Sequence, residues 1–164
     1  MAAPHMHRRN LIKGMAAALG AVAVSGPAIA QSTGPAPTAT PLPPIEQPAT
    51  PGRRAFMQRA FAMRQQAIDS GDQAFGAVIV QGNKIVGLGP SRVVVNGDPS
   101  AHAEMEAIRD ACRRLGTRDL SDCVMYSTSR PCRMCETAAH WARVSRLFHG
   151  NAITDGGAPR YDNC

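Results

Sequence analysis

The chain has 164 residues, 44% of them hydrophobic, and a formal charge of +6, which bounds it to one domain plus an appendage. Arg8, Arg9 and Lys13 lie in a first thirty residues that carry no acid, leaving fifteen cations against twelve acids on the rest. That modest, interspersed balance describes a solvated surface rather than a phosphate-binding face, and 4% aromatic residues make no stacking platform, so a nucleic-acid partner is not expected.

In chain order, residues 1–30 read as an export signal. His7-Arg8-Arg9-Asn10-Leu11-Ile12-Lys13 sets a twin arginine before an apolar, alanine-rich run from Gly14 to Val24. Pro27-Ala28-Ile29-Ala30 then supplies a small-residue cleavage site before Gln31. The run is short and broken by Gly20, Gly26 and Pro27, so no stable membrane anchor is expected after cleavage; a general secretory signal is the rival. The expected location is the periplasm, reached by the twin-arginine route. Residues 31–52 contain seven prolines and too little apolar surface to offset the entropy of ordering, which predicts an extended, disordered linker.

The domain spans residues 53–164. Phe56, Met57, Ala60, Phe61, Met63, Ala67 and Ile68 recur at three- and four-residue spacing until Ser70-Gly71-Asp72, predicting an amphipathic first helix. Phe75 to Val80 and Lys84 to Leu88, joined by Gln81-Gly82-Asn83, predict a hairpin. Ser100 can cap a second helix that begins at Ala101, carries Met105, Ile108, Cys112 and Leu115 on one side and ends at Gly116. Cys123 to Ser127 predicts a third strand, Pro131 the first position of a third helix, and Val144 to Phe148 a fourth strand. This order predicts the α/β class, a three-layer α/β/α sandwich with a mixed sheet.

The stretch from Ser100 to Cys135 carries the chemistry. His102 and Glu104 fall at the start of the second helix, Cys132 and Cys135 at the start of the third. One imidazole and two thiolates suit Zn²⁺ and leave a fourth tetrahedral position for water, and a helix start favours thiolate. A closed structural site would need a fourth side chain. The nearby candidate, His140, is turned about 500° along its helix from Cys135 and so points away from the cysteine face. Glu104, two residues from the imidazole, is the catalytic candidate for handling protons. The five cysteines are an odd number: Cys112 reads as a small buried hydrophobe, and a Cys112–Cys123 disulfide stays open. An exported C-x-x-C thiol–disulfide protein is a rival reading that leaves His102 and Glu104 unexplained.

His102-x-Glu104 followed by Pro131-Cys132-x-x-Cys135 matches the H-x-E and P-C-x-x-C signature of zinc deaminases. The domain resembles the cytidine deaminase superfamily, and within it the bacterial guanine deaminase branch. The likeness runs from Ala74-Phe75-Gly76-Ala77-Val78-Ile79-Val80 through Asp98-Pro99-Ser100-Ala101-His102-Ala103-Glu104. It continues through Ala107-Ile108-Arg109, Leu115-Gly116, Ser121-Asp122-Cys123 and Trp141-Ala142-Arg143 to Tyr161-Asp162. The resemblance implies a cytidine deaminase-like fold, one Zn²⁺ per chain on His102, Cys132 and Cys135, and hydrolytic deamination with Glu104 carrying protons. It implies a small-molecule substrate, guanine going to xanthine and ammonia, with a cytosine- or adenine-type base or a nucleoside as the alternative. It also implies that Phe75, Ser91, Ala103 and Trp141 face the base, and that the protein is a homodimer.

Three departures bear on substrate choice. Gly89-Pro90-Ser91 stands where those relatives have Gly-x-Asn, so a hydroxyl replaces an amide that can both donate and accept. Arg130 replaces a Glu before the Pro-Cys, and Asn163 a second Asp. The chain ends at Cys164, whereas guanine deaminases continue with a tail that helps close the site, in some members by exchange between subunits. Poorer water exclusion is the expectation without such a tail.

Overall fold

The computed structural model describes residues 41–161; the export signal, the first part of the linker and residues 162–164 lie outside the described residues. Helix α1 (Arg53–Asp69) leads into a hairpin of β1 (Gly76–Gln81) and β2 (Lys84–Pro90). Helix α2 (Ala103–Leu115), β3 (Cys123–Ser127), α3 (Arg133–Trp141), β4 (Arg146–His149) and β5 (Thr154–Gly157) follow. The sheet order is β2-β1-β3-β4-β5. Only β3 and β4 pair in parallel; the other neighbours are antiparallel, so the sheet is mixed.

Alternation along β1 divides the core in two, because successive side chains of a strand point to opposite faces. Val78 and Val80, with Ile85, Tyr126 and Phe148, meet Phe56, Met57, Ala60 and Met63 of α1. Ala77 and Ile79, with Met125 and Leu147, meet Ala103, Ala107 and Ala111 of α2 and Ala139 of α3. One helix therefore covers one face and two cover the other, the three-layer arrangement expected. The strand reads as a continuous apolar run because both its faces are covered.

Small residues set how closely α2 lies on the sheet. A Cβ at Gly89 would run into the Ala103 carbonyl and the Ala107 backbone. Gly89→Ala is therefore expected to lower stability by about 1–3 kcal/mol, and to push α2 and its amino-terminal His102 off the sheet. A thermal melt of the variant checks this.

Three expectations are corrected. The last strand, β5, has no β-branched run in Thr154-Asp155-Gly156-Gly157 and forms as a short edge paired with β4, a context that propensity alone does not register. Helix α2 begins at Ala103, not Ala101, because Ser100 turns back to donate its hydroxyl to Asp98 Oδ1 at 2.7 Å instead of capping; His102 itself is the N-cap. Helix α3 likewise begins at Arg133, with Cys132 rather than a residue before Pro131 as N-cap.

The third correction concerns the linker, whose described part is not a free tether. The Gln47 side-chain amide donates to the Ile85 carbonyl at 2.9 Å and accepts the Ile85 N–H at 2.8 Å, so it pairs with edge strand β2 as a neighbouring strand would. Ile45 packs on the α1-side core, and the Pro43 carbonyl accepts from Arg114 at 2.6 Å. Proline content weighs against helix and sheet but not against docking through single side chains, and an open edge rewards such docking.

Candidate metal centre and reaction cavity

Two loops deliver the ligands. Residues 91–101 are held by the Asp72 carboxylate, whose Oδ2 accepts the Val94 and Val95 N–H groups at 2.9 Å each, and by Arg92 N–H donating to the Ala101 carbonyl at 2.9 Å. Against a desolvation that raises it, the Val95 N–H and the other donors hold the Asp72 carboxyl below its ordinary value. The loop ends in His102. The second loop leaves the carboxyl end of β3, where Thr128 N–H donates to the Gly76 carbonyl at 2.9 Å, and ends in Cys132. Both ligand-bearing residues have extended backbone and cap their helices, with their carbonyls accepting from Glu106 and Glu136 at 2.9 Å.

His102 Nδ1 lies 3.7 Å from Cys132 Sγ and 3.6 Å from Cys135 Sγ, and the two sulfurs are 3.6 Å apart. Bond lengths of ~2.3 Å to sulfur and ~2.0 Å to nitrogen give a zinc tetrahedron edges of about 3.8 Å and about 3.5 Å. The three donors thus fit three corners of a zinc site. It is the one such group of three among the described residues, and Cys112, Cys123, Cys132 and Cys135 are all free thiols. A bare C-x-x-C redox pair would not require an imidazole nitrogen equidistant from both sulfurs. Burial, then the neighbouring Glu104 carboxylate, then Cys132 push the Cys135 thiol up from its ordinary value, so a cation is what makes it a thiolate near neutral pH.

Glu104 is the second residue of α2 and only 5% exposed. Its Oε1 accepts the Ser127 hydroxyl at 2.6 Å, which fixes the carboxylate beside the metal triad. A cavity of about 290 Å³ opens over it, lined by Phe75, His102, Glu104, Ser129, Arg130 and Cys132. Ser127 was not singled out in the sequence, although a signal exists. It continues the alternation of Cys123 and Met125 toward the α2 face, so it is a polar residue at an inward strand position. Ser127→Ala is expected to lower kcat about tenfold, the scale of a hydrogen bond to a charged group, with KM and zinc content little changed. A loss of zinc instead would make Ser127 a part of the metal site.

The residues expected to face the base divide. Phe75 lines the cavity and is 43% exposed. Ala103 is buried beneath it as the first residue of α2. Ser91 is fully buried, is not among the lining residues, and donates its N–H to the Phe75 carbonyl at 3.1 Å, so it supports Phe75 from behind. Trp141 is 67% exposed at the far end of α3, edge-on to Tyr161 with ring centroids 5.5 Å apart, and outside the cavity. In their place the lining adds Ser129 and Arg130.

The profile of the family described as the cytidine and deoxycytidylate deaminase zinc-binding region matches residues 52–151. The chain is 38% identical to a guanine deaminase of Bacillus subtilis over 109 residues, 66% of this chain and 70% of that one. It is 38% identical to a tRNA-specific adenosine deaminase of Aquifex aeolicus over 110 residues, 63% of this chain and 73% of the other. The X-ray structure of the Bacillus subtilis guanine deaminase superposes with a TM-score of 0.59 at 39% identity, covering 60% of this chain and 64% of that chain.

Proposed function

The chain belongs to the cytidine and deoxycytidylate deaminase zinc-binding family, and from that premise we propose that it hydrolyses the exocyclic amine of guanine to give xanthine and ammonia. The observation that carries the reading is a buried carboxylate, Glu104, fixed by Ser127 beside three donors with zinc-site spacing, at the floor of a cavity. When bound to His102, Cys132 and Cys135, zinc supplies a water acidic enough to act as a nucleophile near neutral pH.

The chain's own residues do the rest. Glu104, an acceptor with Oε1 already engaged by Ser127, is placed to take a proton from water and return it to the substrate. The carbon that loses its amine gains the water's oxygen, and the two protons of water end on a ring nitrogen and on the departing ammonia. Phe75 offers an aromatic wall on which a planar base can rest. Guanine is preferred over adenine or cytosine because the likeness extends over both a guanine deaminase sequence and its structure.

No described helix is long and apolar enough to cross a membrane. Export to the periplasm rests on Arg8, Arg9 and the apolar run after them, and a homodimer rests on the family likeness. Ammonia release from guanine, adenine, cytosine and their nucleosides by the zinc-loaded chain tests the assignment. Guanine should be turned over fastest, and preferential turnover of cytosine or adenosine would replace it.

A further inference from the structure

The cavity over Glu104 does not end at Arg130 and Cys132. The same two residues also line a neighbouring pocket of about 340 Å³, whose wall carries Arg130, Arg133 and Arg160. The one acid among its lining residues is Glu136, whose Oε1 accepts the Arg160 N–H at 3.1 Å. Among the described residues, none of the ion pairs engages Arg130, Arg133 or Arg160, whereas Arg109, Arg113, Arg114, Arg143 and Arg146 are each matched with a carboxylate. Three unmatched guanidinium groups therefore converge on one concave surface. Like charges gathered in this way repel one another until an anion joins them, and the guanidinium fork is the side chain best shaped to hold phosphate oxygens.

The two hollows share a wall, and each is near the lower end of the ~300–1,000 Å³ range of ligand pockets. One is floored by the carboxylate and the metal donors and walled by an aromatic ring, which suits a base. The other is cationic and open to solvent, which suits a phosphate. We propose that Arg130, Arg133 and Arg160 form an anion subsite that takes the phosphate of a nucleoside monophosphate whose base occupies the cavity over Glu104. This rests on the deaminase reading for the base and adds the form in which the base arrives. The reaction is unchanged: the amine leaves as ammonia, and the phosphate is held but not transferred.

Two arms test it on the zinc-loaded full chain. In the first, inorganic phosphate and guanosine monophosphate are titrated by calorimetry. In the second, kcat/KM is measured for guanine, guanosine and guanosine monophosphate, for the native chain and for Arg133→Gln/Arg160→Gln. The expected result is that the native chain prefers the nucleotide over the nucleoside at least tenfold. The double variant should lower the ratio of nucleotide to base kcat/KM about tenfold, chiefly through the nucleotide's KM, and Arg133→Lys/Arg160→Lys should restore part of it. Raised salt should weaken the nucleotide more than the base.

Turnover of guanine with no preference for the nucleotide, or an unaltered ratio in the double variant, overturns the subsite and leaves the deaminase assignment standing. Phosphate and nucleotide binding that depends on Arg133 and Arg160, with no ammonia released from any of the three, upholds the subsite and overturns the assignment. Tight binding of a single-stranded oligonucleotide in preference to the mononucleotide would also overturn the proposal.

Discussion

Glu104→Gln is expected to keep one zinc per chain and to lose about 10²- to 10⁴-fold in kcat, the range general acid–base catalysis supplies. The substitution is nearly isosteric and leaves an oxygen that can still accept from Ser127, so the helix start and the three metal donors have no reason to move. What disappears is the one group over the cavity floor able to take up a proton and give it back. The same change removes a negative charge from beside Cys135, where it opposes the thiolate, so zinc retention is not threatened on that side. Metal content measured together with ammonia release checks the prediction. Turnover within threefold of the native chain would remove Glu104 from the reaction.

Cys135→Ala is expected to abolish zinc binding at stoichiometric metal and to cost at least about 10³ in turnover, because a metal that activates water is worth several kcal/mol of barrier. Cys135 is fully buried between the other two donors and the carboxylate, so no water-exposed group can replace it. The fold should survive, since losing one sulfur from a core of this size costs on the order of 1 kcal/mol.

A pH dependence accompanies this in the native chain. Burial and Glu104 raise the Cys135 thiol in the metal-free protein, so at neutral pH the thiol carries a proton that the metal must displace. Zinc affinity should therefore rise with pH, by up to about tenfold per unit for each proton released. Chelator competition at about pH 6 and about pH 8 reads the slope. Stronger binding at the lower pH would contradict the assignment of Cys135 as a ligand.

The fold and the metal triad were legible in the sequence for a local reason. Apolar spacing in α1, the alternation of the hairpin, and the pairing of His102 and Glu104 with Cys132 and Cys135 each lie within a few residues of chain. What was not legible depends on residues distant in sequence. Gln47 reaches Ile85, 38 residues away, and turns the end of a proline-rich linker into a guard on the sheet edge. Ser127 acquires meaning only once β3 brings it against Glu104. Ser91 and Trp141 were placed by likeness to relatives, and the geometry puts one behind Phe75 and the other on the surface.

Charge shows the same limit. The balance outside the first thirty residues is small and its cations are interspersed along the chain, which weighs against a phosphate-binding face. Folding nevertheless brings Arg130 and Arg133 to the same hollow as Arg160 while their neighbours pair with acids. A charge count reports the sum over a surface, whereas a binding site depends on where charge is left over.

The most direct measurement is a zinc titration of the metal-free chain, following xanthine and ammonia from guanine. The site described here predicts that both products appear one for one, that activity rises in proportion to zinc and stops at one equivalent, and that Cys135→Ala stays inactive throughout. Full turnover before zinc is added, or a chain that binds one equivalent and releases no ammonia, would contradict it.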